Sequence, residues 1–429
     1  MSEIFSKNVP QVPSTLKAPL HQLEQRLLNQ QVKIESWFRE KWQQVPTLFY
    51  SSVDLRNAGF KLAPIDTNLF PAGFNNLNPD FMPLYIQAVQ ATIETISPTA
   101  KQILLIPESH TGHMFYFEHL ACLQEILSKA GFSVRIGSLL EELKAPKDIK
   151  LPSGKSIRLE PLRRVGNRLA VDDFSPCLIL LNNDLAGGVP ALLQGLEQKV
   201  CPPIDLGWAT RSKANHFHHY EIASREFAKY LDIDPWLISP FFRYCGEVNF
   251  MTGEGQQCLI SNVEALFESI KKKYSEYGIE HPPFVIIKAD AGTYGMAVMT
   301  IKQVDDLKHL NRKQRTNMST IKGGRAVSKV IIQEGVYTFE TWGEEQSVAE
   351  PVVYMVGHHV VGGFYRVHAQ KGVDENLNAP GMNFHPLPFI GACNNPCHPA
   401  DDCANRFYAY GVIARLALLA AAMESQEQL

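Results

Sequence analysis

Short apolar runs alternate with helical stretches through the first half of this chain, and that alternation limits its fold more than any other feature. Gln102–Pro107 reads Gln-Ile-Leu-Leu-Ile-Pro, a strand-like run. Residues 132–136 and 177–181 are two more. Between and before them lie helical stretches at about 114–130, closed by Gly131, and about 81–96. Strands alternating with helices form an open, mostly parallel sheet with helices on its faces. Ligands of such sheets bind beyond the carboxyl ends of the strands. Two polar loops leave those ends, Glu108-Ser-His110-Thr111-Gly-His113 and Asn182-Asn183-Asp184.

A chain of 429 residues has room for two or three domains. Hydrophobic residues at 45% and charged residues at 20% are those of a globular protein. A net charge of −3 exerts no general pull on nucleic acid or anionic membrane. The first residues, Met-Ser-Glu-Ile-Phe-Ser-Lys, lack the apolar core of a signal peptide. The longest unbroken apolar stretch, 416–423, is too short to span a bilayer. The expectation is a cytoplasmic protein with no membrane or nucleic-acid partner; a homo-oligomer stays open. Eight cysteines in such a chain do not suggest a disulfide framework. Cys393, Cys397 and Cys403 near His398 lack the paired Cys-x-x-Cys spacing of a zinc site and read as a proline-rich loop.

Residues 1–45 read as a polar arm followed by helical periodicity over 20–44. Residues 51–78 follow neither a period of 2 nor one of 3.6, and are rich in Gly, Pro and Asn. Their Phe60, Leu62, Ile65, Leu69, Phe70 and Phe74 argue for an ordered functional loop. A helix is expected over 218–231, and Pro235 and Pro240 mark a boundary. The resulting division is 1–45, 46–235 and 236–429. In the last part, helices are expected at 261–277, 304–315 and 404–425, and a strand at 329–333. A hairpin of 352–356 and 360–366 turns at Gly357-His358-His359. The basic run 308–329 reads as a solvated face.

Four pieces carry chemistry, in fixed order. The first is Phe-Val-Ile-Ile-Lys288-Ala-Asp-Ala-Gly292-Thr-Tyr294-Gly295, a β-branched run ending in lysine before a glycine loop. Lysine meets phosphate as a point charge, and glycines let backbone N–H groups approach phosphate oxygens. It is not a Walker A loop, because Lys288 precedes the glycines. The second is a strand entering a polar hinge, Gln333-Glu334-Gly335-Val336, whose backbone can pair with an adenine edge; Glu340 is placed to take a ribose hydroxyl. The third is Arg366 at the end of the hairpin, suited to bidentate contact with a phosphate or carboxylate. The fourth is Asp374-Glu375-Asn376-Leu-Asn378-Ala-Pro380-Gly381, an oxygen-rich set apt for magnesium beside phosphates.

This order resembles the ATP-grasp superfamily of carboxylate–amine ligases. Asn378-Ala-Pro380-Gly381-Met382 is similar to the end of that superfamily's metal-binding turn, although Asn376 stands where a glutamate is expected and Glu375 lies one step off. The stretch from Asp54-Leu-Arg56-Asn57 through Gly73-Phe-Asn75-Asn76, with Ile-Pro-Glu108-Ser-His110-Thr111 and Gly207-Trp208-Ala-Thr-Arg211-Ser-Lys213, narrows it. Together they resemble the proteobacterial glutamate–cysteine ligase family with an ATP-grasp module, over about residues 45–420.

The resemblance implies an α/β fold, with an N-terminal open parallel sheet followed by an ATP-grasp module of two α+β subdomains. It implies an ATP- and Mg2+-dependent ligation of glutamate to cysteine through an acyl phosphate, the first step of glutathione synthesis. In that reading Lys288, Gly292, Tyr294, Gly295, Gln333, Glu334, Val336 and Glu340 hold nucleotide. Glu375, Asn376 and Asn378 hold magnesium, and Arg366 works with Lys288 in catalysis. The substrate set is Arg56, Lys61, Asp66 and Asn68, with Glu108, His110, Arg211 and Lys213 as further members. Turn capping by Asp66 and Asn68, and structural roles for His110 and His216, stay open. So do a glutathione-synthetase-like substrate pair and a nucleotide-binding protein without ligase activity.

Overall fold

The computed structural model describes residues 17–109, 113–292, 296–321, 324, 326–387 and 406–427. Helices α1 (Lys17–Asn29) and α2 (Gln31–Gln44) open the chain. Strands β1 (Tyr50–Asn57) and β2 (Leu62–Asn68) follow, then α3 (Met82–Ile96). The next segment runs β3 (Gln102–Pro107), α4 (Met114–Lys129), β4 (Ser133–Ser138), β5 (Lys147–Lys150) and β6 (Ser156–Pro161). A small hairpin of β7 (Arg163–Val165) and β8 (Arg168–Ala170) leads to β9 (Leu178–Asn182), β10 (Lys199–Cys201) and α5 (Lys213–Leu231). After β11 (Phe242–Cys245) and α6 (Gln256–Tyr277) come β12 (Val285–Ala289), β13 (Val298–Ile301), α7 (Arg312–Ser319) and β14 (Val330–Glu334). The chain continues with β15 (Glu340–Trp342), β16 (Ser347–Val356), β17 (His359–His368) and β18 (Asn383–Pro386), and reaches α8 (Arg406–Glu427).

These elements make three main sheets. One has the order β10-β9-β3-β4-β6-β5, with every pairing parallel except β5 on β6. A second, β11-β14-β12-β13, is antiparallel. The third, also antiparallel, runs β18-β17-β16-β1-β2, with β15 on β16.

That third sheet corrects two expectations. Residues 51–78 are not an irregular loop: they supply β1 and β2. Neither strand sustains a period of 2: β1 alternates only over Val53–Arg56, after Ser51 and Ser52, and β2 carries Pro64. Val53 and Leu55 face the core, while Asp54 and Arg56 face a polar cleft described below. The boundary at 235–236 also fails to separate the sheets, because β1 pairs with β16 across nearly 300 residues, with Asp54 opposite Val352. Smaller differences follow the same logic of short elements. The stretch 304–315 is a single 3-10 turn, Val304–Leu307, followed by α7.

One core packs α8 and α5 with α1 and α2 against the third sheet. Another fills the space between the first and third sheets with α3 and α4. The last lies between α6 and the second sheet. Helix α6 begins at Gly255, where φ is +75° and a Cβ would sit 2.6 Å from the Glu247 carbonyl, so only glycine fits that turn. Helix α8 is apolar on all sides, as a central helix must be. Its Phe407–Glu427 span is long and apolar enough to cross a membrane, longer than the uninterrupted apolar run indicated, and 94% of its apolar window is buried inside the protein. The cysteines at 393, 397 and 403 lie outside the described residues.

Candidate active site

The second and third sheets face one another across a cleft. Four strands of the third sheet build one wall. Arg366 on β17, Glu350 on β16, Asp54 and Arg56 on β1, and Asp66 on β2 all line it. Cross-strand register sets them side by side: Glu350 opposes Arg366, and Asp54 opposes Asp66. The other wall carries Lys288 from β12 and Gln333 from β14, with Gly292 and Val336 on the loops beyond. Glu375, Asn376 and Asn378 close one side after β17, and Lys213 at the start of α5 closes another.

Ion pairs bind the first wall into a grid. Arg366 reaches Glu350 at 2.6 Å and Asp54 at 2.9 Å. Arg56 reaches the other Glu350 oxygen at 3.0 Å, donates to the Val336 carbonyl at 3.1 Å, and donates to the Glu375 carbonyl. Arginine suits this role because its planar fork can serve two carboxylates at once. Burial disfavours charge on Arg366, but Asp54 and Glu350 outweigh it and hold the guanidinium protonated. Burial pushes the Asp54 carboxyl up, against the pull of Arg366. Asp66 behaves in the opposite way. Burial alone would raise it, yet Lys213 at 2.6 Å, with Lys288 and Arg211 nearby, holds it down at about 2. Two neighbouring carboxyls are thus pushed apart by their surroundings.

Lys288 donates to the Ile65 carbonyl and to Gln333 Oε1, both at 2.8 Å. Burial drives its amine down to about 8, against the attraction of Asp66. Gln333 is 1% exposed, and its Nε2 has no protein partner. Nor does the buried Nε of Arg366. Buried donors without acceptors are costly, roughly 1–3 kcal/mol each, so these two mark places where a ligand acceptor fits.

Not every expected residue belongs to the cleft. Glu334 touches it, but its carboxylate is held from behind by Lys61 at 2.7 Å, Trp236 Nε1 at 3.0 Å and the Phe241 N–H at 2.8 Å. The hinge N–H groups of Glu334 and Gly335 are also taken, by the carbonyls of Phe241 and Phe284. Lys61 is buried over the Trp236 ring and pairs with Glu334, so it supports the hinge and does not line the cleft. Glu340 lies in the core, bonded to Asn57 at 2.5 Å and to Tyr410, and does not line the cleft. Asn68 caps the Phe70 N–H at 2.9 Å. Glu108 accepts from the Asp184 N–H at the end of the parallel sheet, also outside the cleft. Arg211 is buried behind β2, between Glu424 and the Thr67 carbonyl, and His216 bonds Thr67 Oγ1 there. His110, Tyr294 and Gly295 lie outside the described residues.

Asp54 and Glu350 are the site residues that motif reading did not assign. The available signal was the alternation Val53-Asp54-Leu55-Arg56, which sends acid and base to one face.

Among the described residues, no group of three or more His, Cys, Asp or Glu is arranged to hold a metal alone. The Glu375–Asn378 loop still suits a hard cation that arrives with phosphate oxygens. Its donors are oxygens, and Glu375 is kept anionic by the Gly372 N–H and by Lys371. Asn376 Oδ1 accepts from the backbone N–H of Asn378 at 3.0 Å, which fixes the Asn376 side chain within the loop.

The glutamate-cysteine ligase family model matches residues 24–425. A crystal structure named "Putative gamma-glutamylcysteine synthetase", from Methylobacillus flagellatus KT, is 56% identical, with a TM-score of 0.91 over 98% of this chain and 100% of that one. D-alanyl-alanine synthetase A from Vibrio cholerae is 12% identical with a TM-score of 0.33, over 74% of this chain and 81% of that one. A glutathione synthetase-like effector from Globodera pallida is 12% identical with a TM-score of 0.36, over 84% and 82%. These last two likenesses are too weak to argue from. No curated protein matches the chain. Matched over nearly its whole length by the family model and over 98% of it by a 56%-identical structure, the chain belongs to the glutamate–cysteine ligase family.

Proposed function

We propose that the cleft is where this glutamate–cysteine ligase joins its substrates, and that it does so by an ATP-grasp mechanism. The two facing antiparallel sheets would be the two halves of the grasp. The observation that carries the reading is that Asp54 and Arg56, Lys288, and Arg366 with Asn378, from three distant parts of the chain, line one cleft.

In the reaction, a γ-carboxylate oxygen of glutamate attacks the γ-phosphorus of ATP, and ADP leaves with the β–γ bridging oxygen. The resulting acyl phosphate is attacked by the amine of cysteine, phosphate departs from the carbonyl carbon, and the amine gives up a proton. Little covalent chemistry falls on the protein, so positioning and charge neutralisation dominate. Lys288 and the free Nε2 of Gln333 meet the nucleotide. Arg366 and Arg56 neutralise the carboxylate and then the acyl phosphate oxygens. Lys213 takes the α-carboxylate of glutamate, and Asp66, held anionic by its basic neighbours, takes the ammonium. Glu375, Asn376 and Asn378 would hold Mg2+, which supplies charge neutralisation along the phosphates. The reading includes a cytoplasmic location, where ATP and both amino acids are at hand.

ADP release measured with glutamate plus cysteine, against γ-glutamylcysteine plus glycine, tests it. The first pair should turn over and the second should not. Lys288→Met and Asn378→Ala should each lower kcat/KM about 10²–10³-fold, the loss of roughly 2.7–4 kcal/mol of transition-state stabilisation. Their melting temperatures should stay near wild type. Turnover with only the second pair, or near-normal rates in both variants, would defeat the assignment.

A further inference from the structure

Away from the cleft, Cys245 and Cys258 lie sulfur to sulfur at 2.8 Å, the thiol of Cys245 donating to the sulfur of Cys258. Cys245 ends β11 and is 1% exposed, whereas Cys258 stands in the first turn of α6 and is exposed. The sulfur of Cys258 also accepts from Asn262 Nδ2 at 3.4 Å, one turn further along α6. A disulfide has its sulfurs about 2.05 Å apart, so the pair is roughly 0.8 Å from bonding distance. An exposed thiol poised over a buried one has the layout of an attacking and a resolving cysteine.

We infer that Cys245 and Cys258 form a thiol–disulfide exchange site that takes small disulfides, with Cys258 as the attacking and Cys245 as the resolving thiol. The steps balance. The Cys258 thiolate attacks one sulfur of the small disulfide, whose S–S bond breaks to release one thiolate. The Cys245 thiol then loses its proton to solvent and attacks the Cys258 sulfur, releasing the second thiol. One small disulfide is reduced to two thiols while the protein gains one S–S bond. Closure ties the edge strand β11 to α6. Phe242 at the start of β11 pairs with Gln333, so the link reaches the strand that forms a cleft wall. This site does not depend on the ligase reading.

Incubation of the full-length protein with cystine, followed by alkylation under denaturing conditions and peptide mass analysis, tests it. Wild type should lose alkylation at Cys245 and Cys258 together, with one peptide pair joined, and dithiothreitol should restore both. Cys245→Ser should stop at a cysteine adduct on Cys258. Cys258→Ser, a change at an exposed position, should form neither product. Alkylation of both thiols after cystine, arrest of the wild type at the adduct, or a bond from either cysteine to another position would each overturn the proposal.

Discussion

Lys288 stands in the cleft with its amine lowered to about 8 by burial. A triphosphate placed against it would favour the charged form and raise that value. The sign follows directly. Below pH 8 the amine is already protonated and binding takes up little. Near and above pH 8 the complex must draw a proton, so affinity falls as pH rises. Calorimetric titration with a non-hydrolysable ATP analogue at pH 8, in buffers of different ionisation heat, should give an uptake of about half a proton. Lys288→Met should abolish that uptake. Zero uptake by the wild type would mean that the amine does not meet phosphate. Lys288 was legible because a strand-like run and a glycine loop bracket it, and Arg366 because it ends a recognisable hairpin. Asp54 and Glu350 have no such bracket. Their meaning comes from partners that lie across strands. Glu340 misled for the same reason: its distance from the hinge along the chain suits a ribose contact, but β15 turns it toward Asn57 and Tyr410.

At the scale of elements, the β16–β17 hairpin decides which way Arg366 points. Pairing starts with Val356 opposite His359 and Met355 opposite Val360, then shifts by one residue so that Tyr354 opposes Gly362. Without that bulge the register would put Arg366 opposite Ala349, on the face turned to the core, and the grid with Glu350 could not form. Just past the bulge, Gly363 packs so closely that a Cβ there would lie 2.2 Å from the Val352 carbonyl and 2.6 Å from Leu387 Cδ1. Gly363→Ala must therefore push β16 and β17 apart. A loss of roughly 1–3 kcal/mol in urea unfolding is expected, along with a fall in kcat from the displaced Arg366. Gly187→Ala is the control, since nothing lies within 4 Å of a Cβ there. Equal behaviour of the two variants would remove the close approach as an explanation. The hairpin and its turn were visible in the residues, but the bulge was not, because a one-residue insertion leaves no mark on apolar periodicity.

At the scale of the molecule, local pattern loses its reach. The helices and the strands β3, β4, β9, β12 and β14 appear in the sequence because each carries its own periodicity. What joins them does not. Arg56 meets Glu350 across 294 positions, Arg211 meets Glu424 across 213, and Arg415 on α8 meets Glu35 on α2 across 380, at 2.7 Å. The N-terminal half thus lends β1 and β2 to the sheet that carries Arg366, and α8 returns to fill the core beside α1, α2 and α5. Cutting between 235 and 236 would leave β16 with a bare edge, α5 without its apolar partner, and Glu350 and Arg366 without Arg56 and Asp54. Buried ions stripped of partners are strongly destabilising, roughly 3–5 kcal/mol for each broken pair. Fragments 1–235 and 236–429, expressed apart, should each unfold without a cooperative transition, and ADP release should return only when both are present. If 236–429 alone melted sharply and bound nucleotide, the C-terminal half would be a domain in its own right, and the shared sheet would be dispensable for the cleft.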